Sequence, residues 1–170
     1  MTMQTNFMKD TMQTFLPEHT FVECAAVLDQ KRLVKQLLEG RQIMAALTGN
    51  SKGWVNHPAT RMWAGHGGML YYYLSCMRNE MDRRGYKWEN NWHAIEMMYS
   101  TYFQDEKQYP AWMLSVEYNK IVNTHRANLH IKAPELYPHY ALETINYRND
   151  VCCDRCNYYW PTHVSRSANV

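Results

Sequence analysis

The sequence predicts an all-α protein, a compact single-domain helical bundle with an irregular C-terminal segment. Apolar side chains recur at helical spacing in several long stretches, and signals for β-strands are scarce. The chain has 170 residues, of which 46% are hydrophobic and 20% charged. Such a composition is typical of one ordinary globular domain. No apolar run approaches the roughly 18 residues that a membrane span needs, so we expect no membrane association.

The N-terminal part predicts a loose extension and then a helical stretch. Residues 1–11 are polar and show no periodicity, so we expect them to form a flexible extension. The stretch "ECAAVLDQKRLVKQLLEGRQIMAALTG" follows Pro17 and ends at a Gly-Asn stop signal. A break near Asp29 divides it into a short helix and a long one. The apolar positions that repeat with a 3.6-residue period are Leu33, Leu37, Met44 and Leu47.

A second helix is predicted after the loop "SKGWVNHP", with Pro58 in its first turn. Its pattern runs through "ATRMWAGHGGMLYYYLSCMRNEMDRR" and stops at Gly85. Gly65, Gly67 and Gly68 fall inside this pattern, where each glycine costs about 1 kcal/mol relative to alanine. That cost predicts a close approach of another helix or of a ligand.

Two more helices and an irregular segment complete the prediction. The third helix covers "WHAIEMMYSTYFQDE" and ends before Pro110, and the fourth covers about residues 114–131. The remainder is rich in proline, cysteine and aromatic residues, so we expect irregular structure wrapped over the helices. We therefore divide the chain into an extension (1–11), a helical domain (12–140) and an irregular C-terminal segment packed on it (141–170).

Positive charge is concentrated in one part of the chain. The net charge is +2, but residues 29–61 alone carry +4. This distribution is expected of a protein with one side that faces a polyanion, although a solvated helix face gives the same count. Five cysteines, an odd number, and the absence of a signal-peptide pattern predict a protein of a reducing, cytoplasmic compartment.

The long first helix carries a polar stripe at i, i+3, i+4 and i+7 spacing. A carboxylate among cations on one helix face is most often a solvated ion pair, worth a few tenths of a kcal/mol. The same arrangement also suits a catalytic carboxylate beside a polyanion. The stripe consists of Arg32, Lys35, Gln36, Glu39 and Gln42.

Three stretches identify a family resemblance: "LDQKRL…E", "NHPATRMW" and "HRANL…K.PE.Y". Over roughly residues 12–140 the chain resembles the pyrimidine-dimer DNA glycosylases, the phage endonuclease V type. The resemblance implies a helical monomer that acts on double-stranded DNA without a cofactor, in a bacterial or phage-infected cell. In this family an amine attacks C1′ of a flipped, damaged nucleotide, the resulting imine releases the base, and β-elimination cleaves the abasic strand.

The resemblance makes Glu39 the catalytic carboxylate, when "LDQKRLVKQLLE" is aligned with one inserted residue. Basic surroundings are expected to keep Glu39 ionised, so that it stabilises positive charge on the sugar. The family usually has an arginine immediately before or near this glutamate, and here Leu37 and Leu38 stand there. The departure leaves the substrate preference open, and the cations that could compensate are Arg32, Lys35 and Arg41.

The family prototype uses its N-terminal α-amine as the nucleophile. An α-amine has a pKa of about 8, against about 10.4 for lysine, and is therefore more nucleophilic at neutral pH. Removal of Met1 would expose Thr2, about ten residues before the usual start of the family. A start at Met12 would leave the Met12 amine in place, because the following Gln13 is bulky.

Lys35 is the alternative nucleophile. It lies one helical turn from Glu39, and Arg32 or partial burial would lower the pKa of its amine. A protein without imine chemistry is the third possibility. The sequence does not decide among these three.

Two basic stretches are predicted to hold the DNA backbone. In "NHPATRMW" the side chains lie at a helix N-terminus, which favours phosphate binding, although its tryptophan also suits the core. "THRANL" and the lysine after it resemble the second basic segment of the family, whose backbone contacts give affinity without reading sequence. Together with the stripe, the predicted DNA contacts are Arg32, Gln36, Arg41, Gln42, His57, Arg61, Trp63, His125, Arg126 and Lys132.

The C-terminal segment has two further features. Residues 158–160, two tyrosines and a tryptophan, either wedge beside a flipped base or pack on the body of the protein. Cys152, Cys153, Cys156 and His163 hint at zinc, but a single C-x-x-C with non-standard spacing is a weak signal, since a zinc site needs four ligands. We expect ordinary reduced thiols and no metal.

Three other functions are compatible with the sequence. One is a DNA-binding module of the same fold that has lost catalysis, which would bind duplex with a steep salt dependence and release no base. Another is a glycosylase that acts on a different modified pyrimidine, such as a hypermodified phage base. A purely structural protein is the third, and it would not bind DNA at low salt.

Overall fold

The computed structural model describes residues 12–164, and side chains as far as residue 162. No strand occurs in this range, so the predicted all-α class is confirmed. Within it, no helix combines the length and the apolar character that crossing a bilayer requires. The predicted extension, and with it Thr2, lies outside the described residues. The helices are α1 (Phe21–Val27), α2 (Gln30–Leu47), α3 (Pro58–Arg61), α4 (Gly67–Arg83), α5 (Glu89–Met98), α6 (Glu117–Lys132) and α7 (Pro161–Val164).

The chain breaks between α1 and α2 at Asp29, as predicted. Thr20 caps α1, because its hydroxyl accepts a hydrogen bond from the Glu23 backbone N–H (3.2 Å) and donates to the Glu23 carboxylate (2.7 Å). Thr20 is therefore the N-cap residue of α1, and its hydroxyl also binds the Glu23 carboxylate. Leu28 and Asp29 are both extended, with ψ of 135° and 162°. The two helices therefore have different directions.

The predicted single helix after the proline is wrong, because α3 and α4 are separate. Gly65, which lies between them, has φ of 77°, a left-handed conformation that favours glycine and ends a helix. The predicted close approach is confirmed, and the neighbour is another part of the chain. A Cβ added to Gly67 would lie 2.2 Å from the ring of Phe103, and one on Gly68 would lie 2.3 Å from the Glu106 carbonyl oxygen.

The second half of the chain contains short and irregular helices. α5 continues into a π-helical turn (Tyr99–Phe103), which stacks Tyr99 on Tyr71 with ring centroids 3.8 Å apart. Two 3₁₀ helices follow α6, at Pro138–Thr144 and Tyr147–Asn149. The first packs along α6. The expectation of irregular structure over the helices is therefore confirmed.

The core is closed by both ends of the described chain. α2 packs against α4 and α5, and α1 packs against α4. Residues 12–16 are buried and belong to no helix. At the other end Tyr158, Tyr159 and Trp160 are 0%, 4% and 2% exposed and join the same core. The N-terminal segment hydrogen-bonds to the polar side of α2, where the candidate site lies.

Candidate active site

Glu39 is a buried carboxylate in the middle of α2. Its side chain is only 4% exposed, and Lys35, one turn earlier, places Nζ 3.2 Å from its Oε1. Gln36 Nε2 donates to Oε2 over 3.4 Å. The backbone N–H of Gln13 contacts the same carboxylate. Three donors from two distant parts of the chain therefore converge on Glu39.

Burial raises the pKa of Glu39 above its usual value, because a desolvated carboxylate is less stable than a carboxylic acid. The neighbouring Lys35, the Gln13 N–H and the charge of Lys132 oppose this effect without reversing it. The net direction is opposite to the expectation that basic surroundings dominate. A carboxyl group with a raised pKa is suited to taking up and returning protons near neutral pH.

Gln36 holds the extended N-terminal segment against α2. Its Oε1 accepts hydrogen bonds from the Phe15 backbone N–H (3.0 Å) and from the Tyr73 hydroxyl (2.7 Å). The same hydroxyl contacts the Phe15 carbonyl oxygen at 2.9 Å. Gln36 has no exposed surface, so it positions Glu39 and the N-terminal segment from inside the protein.

We expect Gln36→Leu to lower the free energy of unfolding by about 1–3 kcal/mol, the cost of leaving a buried backbone N–H without its acceptor. Urea denaturation measures this change. Gln42→Leu is the matched control, because Gln42 lies on the same helix and is half-buried; its change is expected to stay within about 0.5 kcal/mol. Equal losses in the two variants would contradict the role given to Gln36.

Lys132 and Tyr158 form the opposite wall of the site. Lys132 Nζ donates to the Tyr158 hydroxyl over 2.7 Å and lies 5.9 Å from the centre of the Phe15 ring. Tyr158 in turn packs edge-on against His125, with centroids 5.1 Å apart. A cation from the end of α6 therefore lies over the N-terminal segment and contributes to the electrostatic field at Glu39.

Three of the predicted DNA contacts are instead core residues. Gln36 and His125 have no exposed surface, and neither has Trp63. The Trp63 Nε1–H donates to the Thr14 hydroxyl over 3.0 Å. His125 Nδ1 accepts from the Leu16 backbone N–H over 2.7 Å. Their burial leaves no surface for DNA, and their hydrogen bonds fasten the N-terminal segment instead.

Burial, and then the charge of Lys132, lower the pKa of His125 to about 3. The folded protein therefore excludes a proton that the unfolded chain binds near pH 6.5. The contribution of neutral His125 to the free energy of unfolding is complete above about pH 6.5. It is lost as the pH falls towards about 3, by up to about 1.4 kcal/mol per pH unit. Urea denaturation across this range should show a shallower slope for His125→Asn. The exposed His93 supplies the control, since His93→Asn should keep the wild-type slope.

Two predicted DNA-binding arginines are used in ion pairs within the protein. Arg32 Nη1 lies 2.8 Å from Asp29 Oδ1, and its guanidinium lies over the ring of Tyr137. Arg126 Nη2 lies 2.6 Å from Glu18 Oε2. Because a phosphate would have to compete with these carboxylates, neither arginine presents an uncompensated charge.

The other predicted residues lie at or near the surface. Lys35 and Lys132 are exposed, while Arg41 and Gln42 are half-buried. His57 caps α3, since its Nδ1 accepts from the Ala59 N–H at 3.1 Å, and Arg61 donates to Asn56 at 2.9 Å. The sulfurs of Cys153 and Cys156 lie 2.8 Å apart in the loop before α7, and the side chain of His163 lies outside the description.

A shallow cavity of about 660 Å³ lies along the exposed side of α2. Lys31 in its wall lies one helical turn before Lys35, but neither Lys35 nor Glu39 lines the cavity. Its lining residues are Asp29, Gln30, Lys31, Val34 and Leu136.

Sequence reasoning missed two functional neighbours of Glu39. Gln13 belongs to the stretch "MQTFLP", whose position before the first helix was a usable signal. Tyr73 lies in a run of three tyrosines, and no local signal distinguishes it from the other two. Only the fold places its hydroxyl against Gln36 and Phe15.

A family model described as pyrimidine dimer DNA glycosylase matches residues 12–94. No curated protein and no solved structure matches the chain. The matched range contains Gln13, Lys35, Gln36 and Glu39, while Lys132 lies beyond it. The part of the chain that forms the buried carboxylate and its contacts is thus the part that the family describes. Over residues 12–94, just under half of its length, the chain is similar to the pyrimidine dimer DNA glycosylases.

Proposed function

We propose that this protein is a DNA repair glycosylase with abasic-site lyase activity, which excises pyrimidine dimers or modified pyrimidines through a covalent imine. One observation carries the proposal: a buried carboxylate, Glu39, has a primary amine, Lys35 Nζ, 3.2 Å away within the family-matched region. Base excision with strand cleavage requires an amine and a proton-transferring carboxylate side by side.

The proposed reaction begins with a proton transfer. The Glu39 carboxylate takes a proton from the Lys35 ammonium group, which lies within hydrogen-bonding distance. Burial makes Glu39 a stronger base than an exposed glutamate. The neutral Lys35 amine is then a nucleophile, and Glu39 holds the proton next to the site of the reacting sugar and base.

The amine lone pair forms a bond to C1′ of the flipped nucleotide. The glycosidic electron pair leaves with the base, which takes up a proton from Glu39. The nitrogen, which now carries two protons, passes one of them to the ring oxygen O4′ as the C1′–O4′ bond breaks, and a protonated imine between C1′ and the protein remains. Removal of a C2′ proton then expels the 3′ phosphate by β-elimination, and water releases the protein from the product.

Exposed cations around the pair are suited to holding the phosphate backbone. Lys35 and Lys132 are exposed, and Arg41 and Arg61 are half-buried. Phosphate contacts of this kind give affinity without sequence preference, and they weaken with increasing salt. We therefore propose double-stranded DNA as the partner of a monomeric enzyme.

Leu37 favours a second candidate, a glycosylase for a different modified pyrimidine. It is only 1% exposed, so the position where the family usually has an arginine offers no charge to DNA. A panel of duplexes containing either a dimer or single modified pyrimidines separates the two substrates. A module that has lost catalysis would bind these duplexes and release nothing.

A duplex with one cyclobutane dimer tests the proposal. The full chain is expected to break one glycosidic bond of the dimer, whose base stays attached to its neighbour through the cyclobutane ring, to cleave the strand at that site, and to leave the undamaged duplex intact. Sodium borohydride should trap a covalent protein–DNA adduct in the same reaction. If the protein binds the duplexes of the panel but breaks no glycosidic bond in any of them, the proposed function is rejected.

A further inference from the structure

Three cysteines converge in the loop that leads from the second 3₁₀ helix to the C-terminal aromatic residues. The Sγ atoms of Cys152, Cys153 and Cys156 all lie within 4.8 Å of one another. None of them forms a disulfide. Cys153 is exposed, Cys152 is half-buried and Cys156 is buried, so the cluster lies at the surface with one face towards the protein.

The loop is held by backbone hydrogen bonds in a compact turn. The Cys156 N–H donates to the Cys153 carbonyl oxygen over 3.0 Å. The backbone N–H groups of Arg155 and Cys156 also contact the Cys153 sulfur. Amides directed at a sulfur stabilise its thiolate form, which is the form that binds metal.

Arg148 fixes the same loop from outside. Its Nη1 donates to the Cys156 carbonyl oxygen (2.9 Å), and its Nη2 donates to the Asp154 carbonyl oxygen (2.8 Å). Hydrogen bonds to backbone atoms therefore hold the turn, in addition to any contacts of the sulfur atoms.

We propose that Cys152, Cys153 and Cys156 form a structural zinc site. Zinc takes tetrahedral sulfur ligands at about 2.3 Å, which places the sulfurs of such a site about 3.8 Å apart. The three sulfurs already lie within 4.8 Å of one another, so small side-chain rotations complete the geometry. Each thiol releases its proton to solvent as its Zn–S bond forms. A zinc site of this kind also needs a fourth donor besides these three cysteines.

The zinc site would brace the wall of the candidate active site. Cys152 Sγ lies 3.6 Å from the Tyr158 carbonyl oxygen, and the Tyr158 hydroxyl accepts the hydrogen bond of Lys132. A metal that closes the loop therefore fixes the segment that carries Tyr158. This inference does not depend on the proposed reaction, because metal binding is measured without DNA.

Metal analysis of the full chain, purified without chelators from zinc-supplemented cells, tests the site. We expect one zinc per chain in the wild type and less than a tenth of that in the double variant Cys153→Ser/Cys156→Ser. Cys76→Ser is the matched control, because Cys76 lies on α4 outside the cluster, and it should retain full zinc. A wild type without zinc, or a double variant that retains it, would overturn the proposal.

A second measurement uses the wild type alone and is independent of variant folding. Zinc is removed with a chelator, and iodoacetamide labelling is followed by mass spectrometry with and without added zinc. Added zinc should slow labelling of Cys152, Cys153 and Cys156 at least tenfold and leave Cys24 and Cys76 unchanged. Labelling of the three at the same rate in both samples, or a Cys153–Cys156 disulfide that forms regardless of zinc, would reject the metal site.

Discussion

Glu39→Gln is expected to reduce the rate of glycosidic bond cleavage in a dimer-containing duplex by about 10²–10⁴-fold, the usual contribution of a proton-transferring group. Glutamine has nearly the same shape and can still accept the hydrogen bond of the Gln13 N–H. It cannot take a proton from Lys35 Nζ, 3.2 Å away, nor return one to the departing base. The loss should therefore appear in the single-turnover rate, with little change in duplex affinity.

The stability of this variant separates catalysis from folding. Burial raises the pKa of Glu39, so the folded protein binds a proton more tightly than the unfolded chain does. That preference stabilises the fold at low pH and is lost as the pH rises through the raised pKa. A neutral glutamine avoids this loss, and at neutral pH the variant should be at least as stable as the wild type.

The matched control is Glu96→Gln, since Glu96 is exposed on α5. It should keep wild-type activity and stability. Wild-type activity in Glu39→Gln, measured with folding verified by thermal unfolding, would remove Glu39 from the mechanism. A variant that loses activity only because it unfolds would instead contradict the stability argument.

The sequence predicted well those helix boundaries that depend only on residues close in sequence. The start of α3 at Pro58 follows from the fixed φ of proline, and the break near Asp29 coincides with two successive extended residues, Leu28 and Asp29. The separation of α3 from α4 was not predictable in this way. It depends on Gly65 and on the contact of Phe103 with the first turn of α4, and Phe103 is 36 residues further along the chain.

The candidate site was predictable in part. Helical spacing places Lys35 one turn from Glu39, and the structure has them in contact. The burial of Glu39 and of its neighbour Gln36 was not predictable from the sequence of α2. In an amphipathic helix the polar residues are expected to face solvent. Gln36 and Glu39 are polar yet buried, since a segment distant in sequence, residues 12–16, hydrogen-bonds to both through Gln13 and Phe15.

The same limit applies to the cations. The family resemblance of "THRANL" predicts that Arg126 binds DNA, but its carboxylate partner Glu18 is 108 residues away in sequence. Tyr140, whose ring lies under the Arg126 guanidinium, also donates its hydroxyl proton to Glu18. Because such partners are set by tertiary structure, sequence alone overestimates the positive charge that faces DNA.

Lys35→Arg is expected to abolish the borohydride-trapped adduct and to reduce strand cleavage to below about one hundredth of the wild-type rate. Arginine keeps a positive charge next to Glu39 and a contact with the DNA backbone. Its guanidinium stays protonated and forms no imine with a sugar. The variant therefore removes the nucleophile and preserves the electrostatics, so its duplex affinity and its salt dependence should match those of the wild type.

Lys31→Arg is the matched control, because Lys31 is exposed on the same face of α2, one turn before Lys35. It should leave both the adduct and the cleavage rate unchanged. In the wild type, proteolysis of the reduced adduct should place the sugar on the peptide that contains Lys35. An adduct on the peptide that contains Thr2 would assign the reaction to an α-amine instead. In that case Lys35→Arg would retain the adduct, and the 3.2 Å contact with Glu39 would serve to hold the carboxylate in place.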